Sequence, residues 1–285
     1  MLNILPAVPT SMPNKTVLIT GCSSGIGRAT AAAFREEEWE VYATARDEAD
    51  VADLGEQGCH TAELDVTEGK QIDAVVERID ERQGRLDCLV NNAGFAQYGP
   101  LEDTPVSSVR EQFDVNVFGP HRLCRRVLPL MRTQGDGTIV NMSSVYGELS
   151  TPGAGPYAGS KFALEAMSDA LRAEVDGLGI DIVVVQPGPV DTSFTDRATS
   201  ELGELEETPD YEWVYEAIED TTTTSEALPF ALEPKEVATV VHDAASLSDP
   251  DPRYPVGGFA TFAAYTRFLP DGMQDATFRV IRKLF

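Results

Sequence analysis

The sequence predicts an α/β fold, in which helices cover both faces of one doubly wound parallel sheet. Short apolar runs alternate with longer helical stretches along most of the 285 residues. The run at 180–185 is almost wholly β-branched, which suits a central strand buried on both faces. Strands separated by helices in this way form right-handed βαβ units, so we expect a single domain.

The elements follow in a regular order. The apolar run at 17–19 is the first predicted strand, and a glycine-rich turn leads from it into a helix at 26–38. Strands are predicted where short apolar or β-branched runs recur, at 41–45, 59–64, 86–90, 137–141, 180–185 and 254–256. Helices are predicted between them, at 71–83, 105–131, 156–175 and 235–245, with a short acidic helix after the second strand. The length can fill one full-sized core.

The regular alternation stops after Pro189. Residues 191–233 are rich in Asp, Glu and Thr and hold an aromatic cluster, namely Phe194, Tyr211, Trp213, Tyr215 and Phe230. A long irregular insertion in a compact domain is usually a lid, a binding loop or a disordered segment, and we expect a substrate lid. Residues 1–13 have three prolines and no basic segment, so a flexible tail is expected ahead of a catalytic domain at 14–285. The chain after 271 is expected to end in a helix.

The charge balance argues against two classes of partner. Asp and Glu number 47 against 22 Lys and Arg, a net charge of −25. Nucleic acids and anionic membranes both require basic patches, and the sequence has no apolar run of ~20 residues that could cross a bilayer. A lysine-poor, carboxylate-rich surface resembles that of proteins from salt-loving cytoplasms, where molar salt shortens the Debye length to ~3 Å. An ordinary acidic cytosolic protein is the alternative.

The cysteines favour a reducing cytoplasm. Cys22, Cys59, Cys88 and Cys124 form no C-x-x-C pair, and the chain has only three histidines. Neither a metal site nor a disulfide framework is therefore predicted.

A candidate phosphate site follows the first strand. Residues 20–27 read Thr-Gly-Cys-Ser-Ser-Gly-Ile-Gly. Glycines let a backbone approach a pyrophosphate, and the following helix offers free N–H groups and a positive dipole end. A tight turn without a ligand is the alternative. Arg28, a cation in the first helical turn, opposes the dipole, which indicates either a bound anion or a solvated surface side chain.

A candidate proton-transfer pair is Tyr157 and Lys161. Their spacing places both side chains on one face of a helix, one turn apart. An ammonium beside a phenol lowers the phenol pKa, so that Tyr157 could exchange a proton near neutral pH. On spacing alone, such a pair is more often a solvated helix face.

These motifs occur in one order along the chain. The glycine-rich turn is followed by Asn91-Asn92-Ala93-Gly94, then Ser144, then Tyr157-x-x-x-Lys161, then Pro187-Gly188. This set resembles the short-chain dehydrogenase/reductase family over residues 15–260, and more loosely its steroid, retinol and ketone reductase branch. The resemblance implies a Rossmann-type fold and a nicotinamide cofactor.

The resemblance also implies roles for individual residues. Tyr157 would be the general acid/base, Lys161 would lower its pKa and hold the nicotinamide ribose, and Ser144, thirteen residues before Tyr157, would hydrogen-bond the substrate oxygen. Asn116 would be the fourth catalytic residue. The cofactor-binding residues would be Gly21, Ser23, Ser24, Gly25, Ile26, Gly27, Arg28, Arg46, Asp65, Val66, Asn91, Ala93, Gly94, Tyr157, Lys161, Pro187, Gly188, Val190 and Thr192.

Asn116 also has a physical reason for a role. Pro120, four residues later, has no N–H, so the Asn116 carbonyl lacks its helical partner and could hold a water that relays protons to Lys161. A plain proline kink is the alternative.

The cofactor is predicted to be NADP(H), with NAD as the alternative. Counting about 20 residues from Gly27 reaches Asp47, which would favour NAD. The family's register instead places the deciding position at Ala45, whose small side chain leaves room for a 2′-phosphate beside Arg46, with Arg28 on the adjoining turn.

The expected activity is reversible hydride transfer between NADP(H) and a carbonyl or secondary alcohol. Phe95, Tyr98, Tyr146 and Phe194 are the predicted pocket walls, which favours an apolar, steroid-like or retinoid-like substrate. A non-catalytic nucleotide sensor, an NAD-dependent enzyme, and an epimerase or dehydratase are the alternatives. The expected assembly is a homodimer or homotetramer, and the expected partner is a small molecule.

Overall fold

A computed structural model describes residues 14–192, 194–225, 231–266, 270 and 272–273. Within these residues one sheet contains seven strands, which we name β1 (Thr16–Ile19), β2 (Glu40–Ala45), β3 (His60–Glu63), β4 (Cys88–Asn91), β5 (Gly137–Met142), β6 (Ile180–Pro187) and β7 (Arg253–Val256). The order across the sheet is β3-β2-β1-β4-β5-β6-β7, and every pair is parallel. The predicted doubly wound, Rossmann-type fold is confirmed.

The helices of the described residues are α1 (Gly25–Glu36), α2 (Ala52–Glu56), α3 (Gly69–Gln83), α4 (Val106–Phe113), α5 (Gly119–Gln134), α6 (Gly155–Glu174), α7 (Phe194–Leu202), α8 (Glu212–Ser225), α9 (Pro234–Ser246) and α10 (Gly258–Thr266). Those of the sheet region lie within a few residues of the predicted helices, except at 105–131.

The sheet is buried on both faces because its side chains alternate between two cores. Val17 and Ile19 pack with α1 and α9 on one face, in the same cluster as Phe34. Leu18, the residue between them, packs on the other face with α3 and α5, in the same cluster as Leu123. A strand that is apolar at every position can satisfy both cores at once, which explains the unbroken apolar runs in the sequence.

The winding of the sheet reverses at β1. β1 pairs with β2 on one side and with β4 on the other, so the chain leaves the carboxyl ends of these strands in opposite directions. A crevice opens at such a point in doubly wound sheets and commonly holds the ligand. The turn at 20–27 and the segment at 92–95 therefore lie at the position where a site is expected.

The predicted long helix at 105–131 is interrupted. α4 and α5 are separated by a π-helical segment, Asp114–Phe118, in which the Gly119 N–H bonds the Asp114 carbonyl five residues back. Pro120 follows directly, lacks an N–H and cannot bond the Asn116 carbonyl. The chain accommodates this by widening one turn, a distortion that often marks a functional site.

The segment at 191–233 is more regular than expected. It contains α7 and α8, whose buried residues Leu202, Val214, Tyr215 and Ile218 form a small cluster of their own. The prediction of an irregular insertion was wrong, because the many acidic and Thr residues made the apolar positions of this cluster hard to recognise in the sequence. Residues 1–13, Phe230 and most of the predicted C-terminal helix lie outside the described residues.

Three expectations from composition can be compared with the described residues. Cys22, Cys59, Cys88 and Cys124 are all buried free thiols. In this part of the chain no group of His, Cys, Asp and Glu side chains has the arrangement of a metal site. The helices described here include none that is long and apolar enough to span a bilayer.

Candidate active site

The glycine-rich turn is held by close packing against the chain that follows β4. Gly21 has a φ of +72°, which favours glycine, and a Cβ there would lie 2.9 Å from the Ala93 Cα. A Cβ on Gly27 would overlap the Gly21 carbonyl oxygen and the Asn92 amide nitrogen. The Asn92 Nδ2 donates to the carbonyls of Thr20 at 2.9 Å and Gly21 at 3.0 Å. The turn thus forms a cradle that side chains would fill.

The cradle ends at the N-terminus of α1. Ser24, Gly25 and Ile26 line the adjoining cavity, and the first turn of α1 contains no acidic residue. The free N–H groups and dipole of a helix start favour a phosphate here. The residues present therefore fit the pyrophosphate of a dinucleotide.

Two cations near this turn have different surroundings. The Arg28 guanidinium forms a bidentate ion pair with Asp53, at 2.7–3.1 Å, and Arg28 is not among the cavity-lining residues. The Asp53 carboxylate, 25 residues away, thus offsets the unfavourable interaction of Arg28 with the helix dipole, so a bound anion is not needed to explain this cation. Arg46 lines the cavity beside Ala45, and no ion pair with a described residue is found for it. Asp47 instead accepts the Ala49 N–H at 2.9 Å.

The proton-transfer residues come from two neighbouring elements. α6 carries Tyr157 and Lys161, and Ser144 follows the end of β5; all three are buried and line the same cavity. The Lys161 Nζ donates to the Met142 carbonyl at 2.7 Å and lies 5.7 Å from the centroid of the Tyr157 ring. The Ser144 hydroxyl accepts the Tyr146 N–H at 3.2 Å.

Burial has the largest effect on the pKa values of Tyr157 and Lys161. It raises the pKa of Tyr157 above its usual value, although a hydrogen bond with Ser144 acts in the opposite direction. This is opposite to the lowering predicted from the spacing, because the Lys161 ammonium is hydrogen-bonded to Met142 and not to the phenol. Burial also lowers the pKa of Lys161 to about 8, while the Glu165 carboxylate raises it. Lys161 is therefore close to titrating at physiological pH.

Asn116 has a supporting position. Its side chain accepts the Phe95 N–H at 3.1 Å and donates to the Phe95 carbonyl at 2.9 Å and the Ser160 hydroxyl at 3.1 Å. These bonds join the π-helical segment to α6 and to the chain after β4. Asn116 itself is 1% exposed and is not among the cavity-lining residues, so its side chain does not reach the cavity as a catalytic group would.

Most of the predicted site residues share one cavity of about 1040 Å³, at the upper end of small-molecule sites. Its lining includes Gly21, Ser23, Ser24, Gly25, Ile26, Arg46, Asp65, Val66, Ala93, Gly94, Ser144, Tyr157, Lys161, Pro187, Gly188, Val190 and Thr192. Gly27, Arg28, Asn91 and Asn116 are absent from it. Asn91 instead donates to the Asn141 side chain at 2.8 Å within the sheet.

The far end of the cavity is aromatic. Phe95, Tyr98, Tyr146 and Phe194 all line it, as expected, and the Tyr157 ring centroid lies 5.6–6.0 Å from those of Tyr98, Tyr146 and Phe194. Trp213, Ala217 and Ile218 of α8 complete this wall. An apolar pocket that also contains hydroxyl groups suits a mainly apolar molecule with one reactive oxygen atom.

Comparison with known proteins decides the family. A model of the short chain dehydrogenase family matches residues 15–203, more than half of the chain. The chain belongs to the short-chain dehydrogenase/reductase family. It is accordingly an oxidoreductase, and this family uses nicotinamide cofactors.

Relatives within this short-chain dehydrogenase/reductase family align over nearly the whole chain. It is 38% identical to YbbO, an uncharacterised oxidoreductase of Escherichia coli K12, over 92% of this chain and 93% of that protein. It is 34% identical to a 3-ketodihydrosphingosine reductase of Bacteroides thetaiotaomicron, with 94% and 98% covered. It is 32% identical to an NADPH-dependent 3-dehydrocapnine reductase of Ornithobacterium rhinotracheale, with 92% and 95% covered.

Solved short-chain dehydrogenases have the same fold. One from Streptomyces avermitilis superposes with a TM-score of 0.80 at 34% identity, over 94% of this chain and 96% of that one. Another, from Burkholderia phymatum in complex with NAD, gives a TM-score of 0.72 at 26% identity, over 84% and 88%.

Sequence reasoning missed some residues of this short-chain dehydrogenase/reductase site. Asn92 lines the cavity where Asn91 was expected, although both belong to the same four-residue motif. Near Lys161, Glu148 and Glu165 are buried and contact the partly exposed Arg253. Glu165 had a signal, since it lies four residues after Lys161 on the same helix. Glu148 and Arg253 had none, because their proximity depends on the folded sheet.

Proposed function

We propose that the protein transfers a hydride between NADP(H) and an apolar ketone or secondary alcohol. The observation that carries this is the convergence of Ser144, Tyr157 and Lys161 on one cavity, between a dinucleotide cradle and an aromatic wall. The relatives named as 3-dehydrocapnine and 3-ketodihydrosphingosine reductases support a ketone on a long apolar molecule. A steroid-like or retinoid-like substrate would suit the same wall.

Each residue of the site has a distinct task in this proposal. When bound, the nicotinamide would supply or accept the hydride. The Tyr157 hydroxyl gives its proton to the substrate oxygen, and Ser144 hydrogen-bonds that oxygen and orients it. Lys161, protonated below its pKa of about 8, holds the ribose and favours the phenolate that forms. The phenolate would regain a proton from Lys161, and a water held by the Asn116 carbonyl would then return a proton from solvent to Lys161.

The cofactor cleft has two further groups of residues in the proposal. Asp65 and Val66, which line the cavity, would contact the adenine. The nicotinamide end would be held by the segment after β6, which lines the cavity through Pro187, Gly188, Val190 and Thr192.

Preference for NADP(H) rests on the end of β2. Ala45 places no carboxylate where a 2′-phosphate would bind, and Arg46 lines the cavity beside it. Asp47, the residue that would favour NAD, caps the following turn instead. Because Asp53 holds Arg28, the phosphate contact is assigned to Arg46 rather than to both cations.

Variants at this position test the cofactor assignment. Ala45→Asp and Arg46→Leu should each lower kcat/KM with NADPH at least about tenfold relative to NADH, the scale of one charge-assisted hydrogen bond of ~1.5–3 kcal/mol. Arg28→Leu is the matched control, since it removes a guanidinium that Asp53 already holds, and it should change the preference by less than about threefold. A native enzyme that prefers NADH, or unchanged preference in both variants, would return the role to Asp47.

The substrate class is tested with a panel of carbonyl compounds. Nicotinamide absorbance should report turnover of ketones on apolar bodies, such as long-chain 3-keto compounds and ketosteroids. Small polar ketones should react poorly because they leave the wall around Tyr98 and Phe194 unfilled. Equal rates with both groups would contradict the apolar assignment.

Residues 191–233 are proposed to be the substrate lid of a single catalytic domain at 14–285. Trp213 and Ile218 of α8 line the cavity, which supports contact between this segment and substrate. The segment is fastened to the loop before α4, because Asp103 accepts hydrogen bonds from the Thr208 side chain at 2.6 Å and the Tyr215 hydroxyl at 2.7 Å.

A homodimer or homotetramer is proposed as the assembly. A shallow groove on α4 and the π-helical segment is lined by Val106, Val109, Phe113 and Phe118. Val106 is 67% exposed and Phe118 50%, which supports burial of this groove against a second copy of the chain.

A salt-rich cytoplasm is the proposed environment. The net charge of −25 should make the folded state repel itself at low ionic strength, and the four free thiols suit a reducing compartment. We predict that the thermal unfolding midpoint rises by several degrees between ~0.1 and ~2 M KCl, because the Debye length falls from ~10 Å to a few ångströms. Sucrose of matched osmolality is the control, since it does not screen charge. An equal rise in sucrose, or no rise in KCl, would count against salt adaptation.

A further inference from the structure

A group of polar side chains, three of them buried and one partly exposed, lies next to the catalytic residues. We call it the carboxylate network and define it as Glu148, Glu165, Gln186 and Arg253. The Gln186 Nε2 donates to Glu148 at 2.8 Å and to Glu165 at 2.9 Å. The Arg253 Nε lies 3.0 Å from the second oxygen of Glu165 and 3.8 Å from Glu148.

Burying the carboxylate network costs free energy. Glu165 is 4% exposed and Glu148 is 7% exposed, and they share one guanidinium. Two buried carboxylates lie beside two cations, Arg253 and Lys161, and apolar residues of similar volume would avoid the cost of burying these charges. A purely structural need is better met without charge, so a function at the adjoining site is the more direct explanation.

Three of the four members of the network adjoin a part of the site. Glu148 directly follows the short turn Val145–Gly147, which Ser144 begins. Glu165 lies one turn after Lys161 on α6, and Gln186 precedes the cavity-lining residues Pro187 and Gly188 on β6. The network therefore joins the serine turn, the Tyr157 helix and the far wall of the cofactor cleft.

The contact between the serine turn and α6 is tight. A Cβ on Gly147 would lie 2.5 Å from the Ser143 Oγ and 3.0 Å from the Glu165 Cγ. Glu165 thus packs against the backbone of the turn that presents Ser144. This packing places Glu165 where its side chain can support the position of the serine turn.

The charge of Glu165 acts on Lys161. Lys161 is 6% exposed, and burial alone would drive its ammonium towards the neutral amine. Around it lie Tyr157 and Glu165 on α6 and the Met142 carbonyl on β5, with Asn116 on the π-helical segment near Gly94. Glu165 is the anionic group in this set, and Arg253 on β7 offsets part of its charge.

We propose that Glu165 is a positioning residue that keeps Lys161 protonated and holds the serine turn against α6, with Arg253 setting how much of its charge Lys161 experiences. The inference rests on the proposed function, because it assigns Glu165 a part in the same proton transfer.

The test compares Glu165→Gln with Asp169→Asn. Asp169 contacts the same Arg253 at 2.7 Å but lies one turn further from Lys161 and is 38% exposed, which makes it the matched control. Glu165→Gln keeps the shape and an acceptor for Gln186 but removes the charge. The pKa of Lys161, measured by pH-dependent acetylation and mass spectrometry, should fall by about one unit. Asp169→Asn should leave it within a few tenths of a unit.

The pH dependence of kcat is a second test of this inference. With a Lys161 pKa lowered from about 8 to about 7, the protonated fraction at pH 8 falls about fivefold, whereas at pH 6 it is almost unchanged. Glu165→Gln should therefore lose about fivefold in kcat at pH 8 and less than twofold at pH 6. A merely structural defect would lower kcat equally at both pH values.

Arg253→Met is an independent variant, in which the Lys161 pKa is expected to shift in the opposite direction. Removing the guanidinium should raise the Lys161 pKa, and this variant decides the question if Glu165→Gln does not fold. An unchanged Lys161 pKa in either folded variant, or equal loss of kcat at pH 6 and pH 8, would overturn the inference. If the native protein reduces no ketone, the proposed function fails, while the acetylation result still decides the role of Glu165.

Discussion

Replacing Tyr157 with phenylalanine is expected to lower kcat by about three orders of magnitude, the largest effect that we predict on turnover. The variant removes the hydroxyl that exchanges its proton with the substrate oxygen. The ring contacts remain, because phenylalanine keeps the packing against Tyr146 and Phe194 at 5.6 and 5.8 Å between ring centroids. NADPH affinity should therefore stay within about threefold of native, measured by fluorescence titration, while single-turnover kinetics report the loss.

Tyr146→Phe is the matched control. Tyr146 lines the same cavity and contacts the Tyr157 ring, but among the described residues its hydroxyl accepts one long 3.4 Å hydrogen bond, from Thr151. Its loss should cost less than about tenfold in kcat. If both variants lose activity equally, the aromatic wall and not the Tyr157 proton carries the effect; turnover of Tyr157→Phe within a few-fold of native would remove Tyr157 from the mechanism.

The sheet could be predicted from the sequence because its signal is local. Each central strand is buried on both faces, so it must be apolar at nearly every position, and a run such as 180–185 shows this without any knowledge of its neighbours. The glycine-rich turn and the Tyr157–Lys161 pair were also local, since each requires a fixed spacing on one element.

The ion-pair partners of the charged side chains could not be predicted from the sequence in the same way. Arg28 was assigned to the cofactor site because the sequence does not reveal that Asp53 of α2 forms an ion pair with it. Arg253 and Glu165 are 88 residues apart in the chain and meet only when β7 joins β6. Long flexible charged side chains have many partners within reach, so their pairing is decided by the tertiary fold.

Backbone distortion was only partly predictable. Pro120 has no N–H to offer the Asn116 carbonyl, but a kink, a break and a widened turn are all compatible with that. The structure has the widened turn, because the Asn116 side chain must meet both Phe95 and Ser160. Contacts outside the helix therefore determine that a widened turn forms instead of a kink or a break.

Gly27→Ala is expected to give the largest effect on cofactor binding. A Cβ at this position would overlap the Gly21 carbonyl oxygen, which is backbone and already accepts a hydrogen bond from Asn92 at 3.0 Å. The strain can be relieved only by moving α1 away from the turn or by opening the turn itself. Either movement separates the helix N-terminus from the pyrophosphate, so the Kd for NADPH should rise at least about 100-fold, with ~1–3 kcal/mol lost from the free energy of unfolding.

Gly69→Ala separates this steric effect from the general effect of adding a methyl group to a helix. Gly69 begins α3, and a Cβ there would meet no atom within 4 Å. The control should bind NADPH as the native protein does and gain up to ~1 kcal/mol in unfolding free energy, because alanine lowers the entropy of the unfolded chain. Calorimetric titration and urea unfolding measure both quantities. If Gly27→Ala binds NADPH within a few-fold of native, the packing of this glycine does not set the cofactor position, and the cradle must be more compliant than its contacts indicate.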